Sequence, residues 1–377
     1  MTEVSFKPVG LDRARLLALM RQSGLDGILL SSPENVFYAT GYPALPSSGN
    51  PILYALRNQL PYFAFVGKDG RISLICWGPA AMGIEYGADD VRPIFMRAVA
   101  LEELTNLINE KLPPGCSVGV ESTCPFHATQ LIQEHARPSR IVSVDDLMLR
   151  LRLVKSAAEI ERIRTSTRII EQTVSELARS LRIGMSRLEL IQQAKAGMIQ
   201  NGAHGVDHVT VAFGAANPEV ALGERLERNQ IVTLDLGAAY DGYVSDNRRL
   251  VYTGQAPDGL KQLHRKLCGV VADMGQALMP GTTFAALNAR AYELYAAAGL
   301  EPLFLHVGHS IGLQVEECWI SAEDQTPIAE GMVLNIELYS FCDDAVMIGD
   351  EETYVISGRG PERISQLPAD LIEIEPT

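Results

Sequence analysis

The chain has 377 residues, nearly half of them apolar, and a net charge of −14. That length exceeds what one hydrophobic core usually serves, so two domains are expected. The acidic balance argues against nucleic acid and anionic membrane surfaces as partners, since both demand a basic face.

No run approaches the roughly 18 apolar residues of a membrane helix. The opening "MTEVSFKPVGLDRARLL" shows no basic segment followed by an apolar stretch, so no secretory signal is expected and the compartment is expected to be cytoplasmic. Cys76, Cys116, Cys124, Cys268, Cys318 and Cys342 are scattered without a C-x-x-C pair and read as reduced thiols.

In chain order, "LDRARLLALMRQSG" predicts a short amphipathic helix stopping at Gly24, and "DGILLSS" an apolar strand ended by Pro33. "PYFAFVGKDGRISLIC" predicts a hairpin turning at Lys68-Asp69-Gly70. "ADDVRPIF" and "CSVGVES" add short strands, giving a small α/β domain over residues 1–150. Composition changes near "LMLRLRLVKSAAEIERIR". Ser156 with Glu159, and Ser186 with Glu189, form two capping boxes that open successive helices, the second closing at Asn201-Gly202. Residues 151–377 form the second domain. It is strand-rich from 205 onward, with one further helical stretch at about 257–299.

The most informative stretch is "IVTLDLGAAYDGYVSDNRRLVYTG", residues 231–254. Asp241-Gly242 between β-rich flanks signals a type I′ hairpin. Counting back from that turn, Tyr240 faces Tyr243 and Asp235 faces Arg248. Asp246, two residues from Arg248, shares the Asp235 face, and diagonal partners on a ladder lie about 7–8 Å apart. Two carboxylates directed at one point call for a cation between them. On the hairpin alone a plainer reading stays open, in which one aspartate helps the turn and the other pairs with Arg248 or Arg249.

Further on, "LHVGHSIGLQVEE" sets His309 after Gly308, where backbone crowds close to it. "GMVLNIELYSF" puts Glu337 inside an apolar strand, and "MIGDEETYVIS" puts Glu351 at the start of another. A buried, unpartnered carboxylate costs several kcal/mol, so both need partners. Two aspartates, two glutamates and a histidine suit a pair of divalent ions, manganese first among Mn, Co, Zn and Fe.

The order Asp, eleven residues, Asp, then His, Glu and Glu resembles the creatinase/prolidase superfamily of pita-bread enzymes. "SPENVFYATGY", "LRLVKSAAEIERIR", "LDLGAAYDGYVSDNRR", "GHSIGL" and "GMVLNIE" follow that family's order over most of the chain. The resemblance implies an α+β fold: a pita-bread catalytic domain preceded by a smaller α/β creatinase-type domain. It implies that Asp235 binds one metal, that His309 and Glu337 bind the other, and that Asp246 and Glu351 bridge. In such a site two ions activate a shared water and polarise the substrate carbonyl. A carboxylate carries the proton to the leaving nitrogen, with Glu351 the first candidate and Glu337 the second. A homodimer is implied as well, with the loop at residues 41–62 a contributor to the active-site wall.

The chain also departs from the family's peptidases. Their substrate-facing histidine in "GHGIGLxxHE" is Glu316 here, and the histidine they carry after an "ASGPN"-like strand end is missing from "VAFGAANPEVALGERL". The arginine often found two residues before the last glutamate is Gly349, and a histidine four residues before the ligand histidine is replaced by Leu305, with His306 one place later. Losing an oxyanion donor costs roughly 2.7–4 kcal/mol in comparable sites. Glu316, as a seat for a cationic group, His208, as a displaced acid/base, and His306 are the candidate substrate contacts, while His204 reads as a loop residue. The function expected is a dinuclear metal hydrolase acting on a C–N bond of a small dipeptide-like or amide substrate. An amidine hydrolase or lyase on the same fold, and a non-catalytic binding protein, are the alternatives.

Overall fold

The structure is a computed structural model that describes residues 4–217, 220, 223–342 and 346–375. The chain divides into two compact units, Met1–Arg152 and Leu153–Thr377.

In the first unit a six-stranded sheet runs in the order Asp90–Ile94, Ile72–Trp77, Phe63–Gly67, Gly27–Leu30, Ser117–Val120 and Arg140–Ser143. Its central hairpin turns at Lys68-Asp69-Gly70, where Gly70 takes φ 81°. Phe63, Ile75, Leu104, Leu107 and Val118 lie in its core, between the sheet and the Arg97–Lys111 helix. Ser32 caps the Pro33–Thr40 helix, and the buried Glu121 accepts hydrogen bonds from the Ser32 backbone (2.8 Å) and the Asn35 amide (2.7 Å). Residues 41–62 are less of a loop than their composition suggests, because Ile52–Ala55 forms a helical turn and Tyr42, Ala44 and Leu45 are buried.

In the second unit both capping boxes are present, opening the helices Ala157–Ser180 and Arg187–Gln200. The helical stretch expected over 257–299 is two helices, Asp258–Ala277 and Phe284–Ala298. Pro280 supplies no backbone N–H, Gly281 takes φ 90°, and Thr283 then caps the second helix. One sheet pairs Ile231–Tyr240 with Gly205–Phe213 on one side and with Tyr243–Val244 and Asn247–Thr253 on the other. The second sheet runs Cys318–Trp319, Gly308–Ser310, Val333–Phe341, Met347–Ser357, Gly360–Arg363. Side chains tie the sheets together where Asn247–Thr253 meets Met347–Ser357: Arg249 donates to the Glu351 carbonyl at 2.9 Å, and Thr353 to that of Asp246 at 3.4 Å. That seam brings Asp246 and Glu351 into one neighbourhood although 104 residues separate Asn247 from Glu351.

Candidate metal centre

Local turn chemistry sets the first half of the site. Asp241 and Gly242 take φ 53° and 86°, the two positive values a type I′ turn requires. The register then places Tyr240 opposite Tyr243 and Asp235 opposite Arg248. His204 belongs to the turn, accepting from the Asp241 backbone at 3.2 Å. Asp235 and Asp246 do converge, and between them stands the imidazole of His208, whose Nε2 is 3.1 Å from Asp235 Oδ1 and 3.3 Å from Asp246 Oδ1.

The second half is built on Gly308, at φ 139°, where a Cβ would lie 2.1 Å from the Asn335 carbonyl. Only glycine lets this short strand press onto Val333–Phe341, and the press buries His309 completely. His309 Nδ1 faces the Ser310 carbonyl at 3.4 Å, an outer contact that leaves Nε2 for the cluster. From Nε2, Asp246 Oδ2 is 3.5 Å away and Glu337 Oε2 is 3.6 Å away. These are longer than hydrogen bonds but close to the roughly 3.4 Å that separates ligands bonding one ion at about 2.0–2.2 Å in a tetrahedron. Glu337 Oε2 is buried without a hydrogen-bond partner, as is Asp246 Oδ1, the oxygen turned toward His208 rather than His309. Unpartnered buried carboxylate oxygens beside a histidine nitrogen are what a divalent ion would satisfy. Glu316 also reaches this group, since its carboxylate, His309 and Glu337 offer ligand atoms all within 4.8 Å of one another.

Asp235 and Glu351 are occupied differently. Arg248 donates from Nη2 to Asp235 Oδ2 at 2.5 Å and from Nε to Glu351 Oε1 at 3.1 Å. The Tyr339 hydroxyl donates to the same Glu351 oxygen at 3.1 Å and, more closely, to Glu337 Oε1. The Arg248 guanidinium lies over the Tyr339 ring, 4.5 Å from its centroid. Gly349 makes room for both, since a Cβ there would meet the Tyr339 ring at 2.6 Å and Arg248 Cδ at 3.1 Å. The arginine missing at 349 and the facing of Arg248 are each legible in the sequence, but their connection is not. Tyr339 was missed altogether. Its signal was the two-residue spacing from Glu337, which puts both side chains on one face of a strand.

The charges reinforce one another. Burial presses His208 and His309 toward the neutral form, yet the carboxylates around them win. His208 is held well above the usual histidine range, and His309 is raised to about 9, chiefly by Asp246 and Glu337. Burial resists the ionisation of Asp246, but its two histidines hold its carboxyl low. Glu337 and Glu351 are pushed up, first by burial and then by neighbouring carboxylates.

A cleft of about 420 Å³ opens on this cluster, lined also by Thr210, Val315, Phe304, His306 and Met347. Glu316, an exposed residue at its rim, accepts from the Trp319 indole at 2.8 Å, and His306 stacks between Phe304 and Trp319. The structure therefore brings His208, Glu316 and His306 to the cleft beside Asp235, Asp246, His309, Glu337 and Glu351. Part of "VAFGAANPEVALGERL" lies outside the described residues.

Residues 161–358 match the family model of metallopeptidase family M24, and residues 13–154 match the creatinase/prolidase N-terminal domain. An Xaa-Pro dipeptidase of Pyrococcus horikoshii is 25% identical over 365 residues, covering 95% of this chain and 97% of that protein. Among solved structures, a prolidase from Pyrococcus horikoshii superposes with a TM-score of 0.80 at 23% identity, covering 96% of this chain and 99% of that one. An X-Pro aminopeptidase from Thermotoga maritima gives 0.79 at 23% identity with the same coverage. The α+β pita-bread domain preceded by an α/β creatinase-type domain is the architecture of this chain.

Proposed function

This chain belongs to metallopeptidase family M24 and is a metal-dependent hydrolase, and from that premise we propose that it cleaves a C–N bond of amide type in a small, dipeptide-sized substrate. The observation that carries the reading is the His309–Asp246–Glu337 group, with its ligand-like spacing and the unpartnered oxygen Glu337 turns to it. When bound there, a divalent ion supplies Lewis acidity toward an amide carbonyl and toward water. Manganese is the first metal to try, because carboxylate-rich sites with one imidazole suit it. The cleft volume of about 420 Å³ fits a small ligand and is too confined for a folded partner.

For the proton shuttle the geometry favours Glu337 over Glu351. Both oxygens of Glu351 accept hydrogen bonds, from Arg248 and Tyr339 on one side and from Asn335 at 3.4 Å on the other. Glu337 accepts a single hydrogen bond, from Tyr339 at the oxygen turned away from His309, and its raised pKa suits a group that must hold a proton and pass it on. Glu316 stands where the family's peptidases place a histidine, so a substrate oxyanion loses a donor on that side. This supports a specialised amide over peptides at large. Xaa-Pro dipeptides, the substrates named by the relatives, are the first compounds to compare with it.

The test supplies Mn²⁺ to the purified protein and follows release of the new amine from Xaa-Pro dipeptides and from small N-acyl amides. Turnover of either class that disappears in His309→Ala supports the reading. No release from either class, or turnover indifferent to His309→Ala, overturns it.

A further inference from the structure

We propose that the centre of this chain takes a single divalent ion, at His309, Asp246, Glu337 and Glu316, and that the guanidinium of Arg248 stands where a second ion would otherwise lie. The inference rests on the reading of the His309 group as a metal seat. What it adds concerns the other half of the cluster.

His208, Asp235 and Asp246 offer ligand atoms within 4.8 Å of one another on this side, but the carboxylates left for a second ion once the His309 group is assigned are Asp235 and Glu351. Arg248 already joins that pair, at 2.5 Å to Asp235 and 3.1 Å to Glu351, with a side chain only 5% exposed. Guanidinium cannot be deprotonated in a protein, so its charge is permanent. An ion bonded to the same oxygens would sit against that charge with little water between to screen it. His208 fills the remaining approach, its Nε2 3.1 Å from the other oxygen of Asp235. Of the two buried carboxylate oxygens without a hydrogen bond, Glu337 Oε2 faces His309 and Asp246 Oδ1 faces His208, while neither Asp235 nor Glu351 keeps one.

The surroundings fit Arg248 as a built component. Gly349 leaves the space its side chain crosses, Tyr339 lies under its plane, and its register partner is Asp235 itself. Arg248 Nη1 is buried and has no hydrogen-bond partner, although the residue lines the cleft. One donor of the guanidinium thus remains for an oxygen of the bound substrate.

The decisive measurement is the stoichiometry of Mn²⁺ on the metal-stripped, full-length protein, by titration calorimetry and by elemental analysis after gel filtration. One equivalent per chain is expected, with the six-line electron paramagnetic resonance signal of an isolated Mn²⁺ ion. Asp235→Asn should keep that equivalent, whereas Glu337→Gln and His309→Ala should lose it. Arg248→Thr should rise from one equivalent to two, with an exchange-coupled signal. Two equivalents in the unaltered protein would overturn the inference and leave the hydrolase reading standing. No bound Mn²⁺ would overturn the metal seat and the inference with it. A folded Arg248→Thr that still binds one would show that the guanidinium is not what keeps the second ion out.

Discussion

Gly349 lies directly opposite Tyr339 in the register of the two long strands, and a Cβ on it would come within 2.6 Å of the Tyr339 ring. The ring cannot retreat easily, because its hydroxyl is tied to Glu337 and Glu351 and its face carries Arg248. Gly349→Ala should therefore destabilise the protein by about 1–3 kcal/mol, as overpacking of a filled core does. The midpoint of urea denaturation should fall with an unchanged slope. Adding Tyr339→Ala should bring back part of the loss, so the two effects should not add. A Gly349→Ala protein as stable as the original would mean that the ring shifts freely.

That relationship marks where the sequence stopped being legible. The Asp241-Gly242 turn, the facing of Asp235 and Arg248 and the two capping boxes follow from short-range rules, and they stand in the structure as expected. The ligand-type residues could be picked out because a carboxylate or histidine in an apolar strand needs a partner. Their partners could not. Whether Asp235 faces an ion or Arg248 depends on which side chains cross the seam between two sheets, and no local pattern fixes that. The division of the 257–299 stretch was legible and missed, since Pro280-Gly281 interrupts the apolar pattern after Met279 and Thr283 offers an N-cap.

Lys155 and Glu317 form an ion pair at 2.8 Å with both side chains 1% exposed. Glu317 also accepts from the Leu313 backbone at 3.1 Å, close behind His309 in the chain. Removing one partner of a buried pair strands the other charge, so Lys155→Met should cost about 3–5 kcal/mol of unfolding free energy. The double variant Lys155→Met with Glu317→Leu should recover part of that, since neither charge is then left alone. Equal stability of the single variant and the original would sink this account.

His264 is buried on the Asp258–Ala277 helix, and burial, aided by the charge of Arg249, lowers its pKa to about 4. The unfolded chain binds a proton on this residue near pH 6.5, and the folded chain resists doing so until about pH 4. The stability it contributes is thus present above the unfolded value and is lost as pH falls through that window. Between pH 7 and 4.5 the unaltered protein should lose about 2 kcal/mol more than His264→Gln, which cannot titrate. Parallel stability curves for the two proteins in urea would rule the histidine out as the cause.

Trp319 is 51% exposed, so its indole contributes little to any core, yet its Nε1 donates to Glu316 at 2.8 Å. If Glu316 completes the ion's seat, that donation fixes the carboxylate at the rim of the cleft, where a free side chain would swing among rotamers. Outer partners of this kind change metal affinity by about 10–100-fold when removed. Trp319→Phe keeps the stacking against His306 and deletes the donor alone. It should weaken Mn²⁺ binding by about that factor in calorimetry, with an unchanged melting temperature for the metal-free protein. Glu316→Gln should weaken it at least as much, because it removes the charge as well as the tether. An unaltered dissociation constant in both variants would return Glu316 to the role of a solvated rim residue and leave the ion on three side chains. A loss in Glu316→Gln alone would keep the ligand and show that Trp319 does not position it.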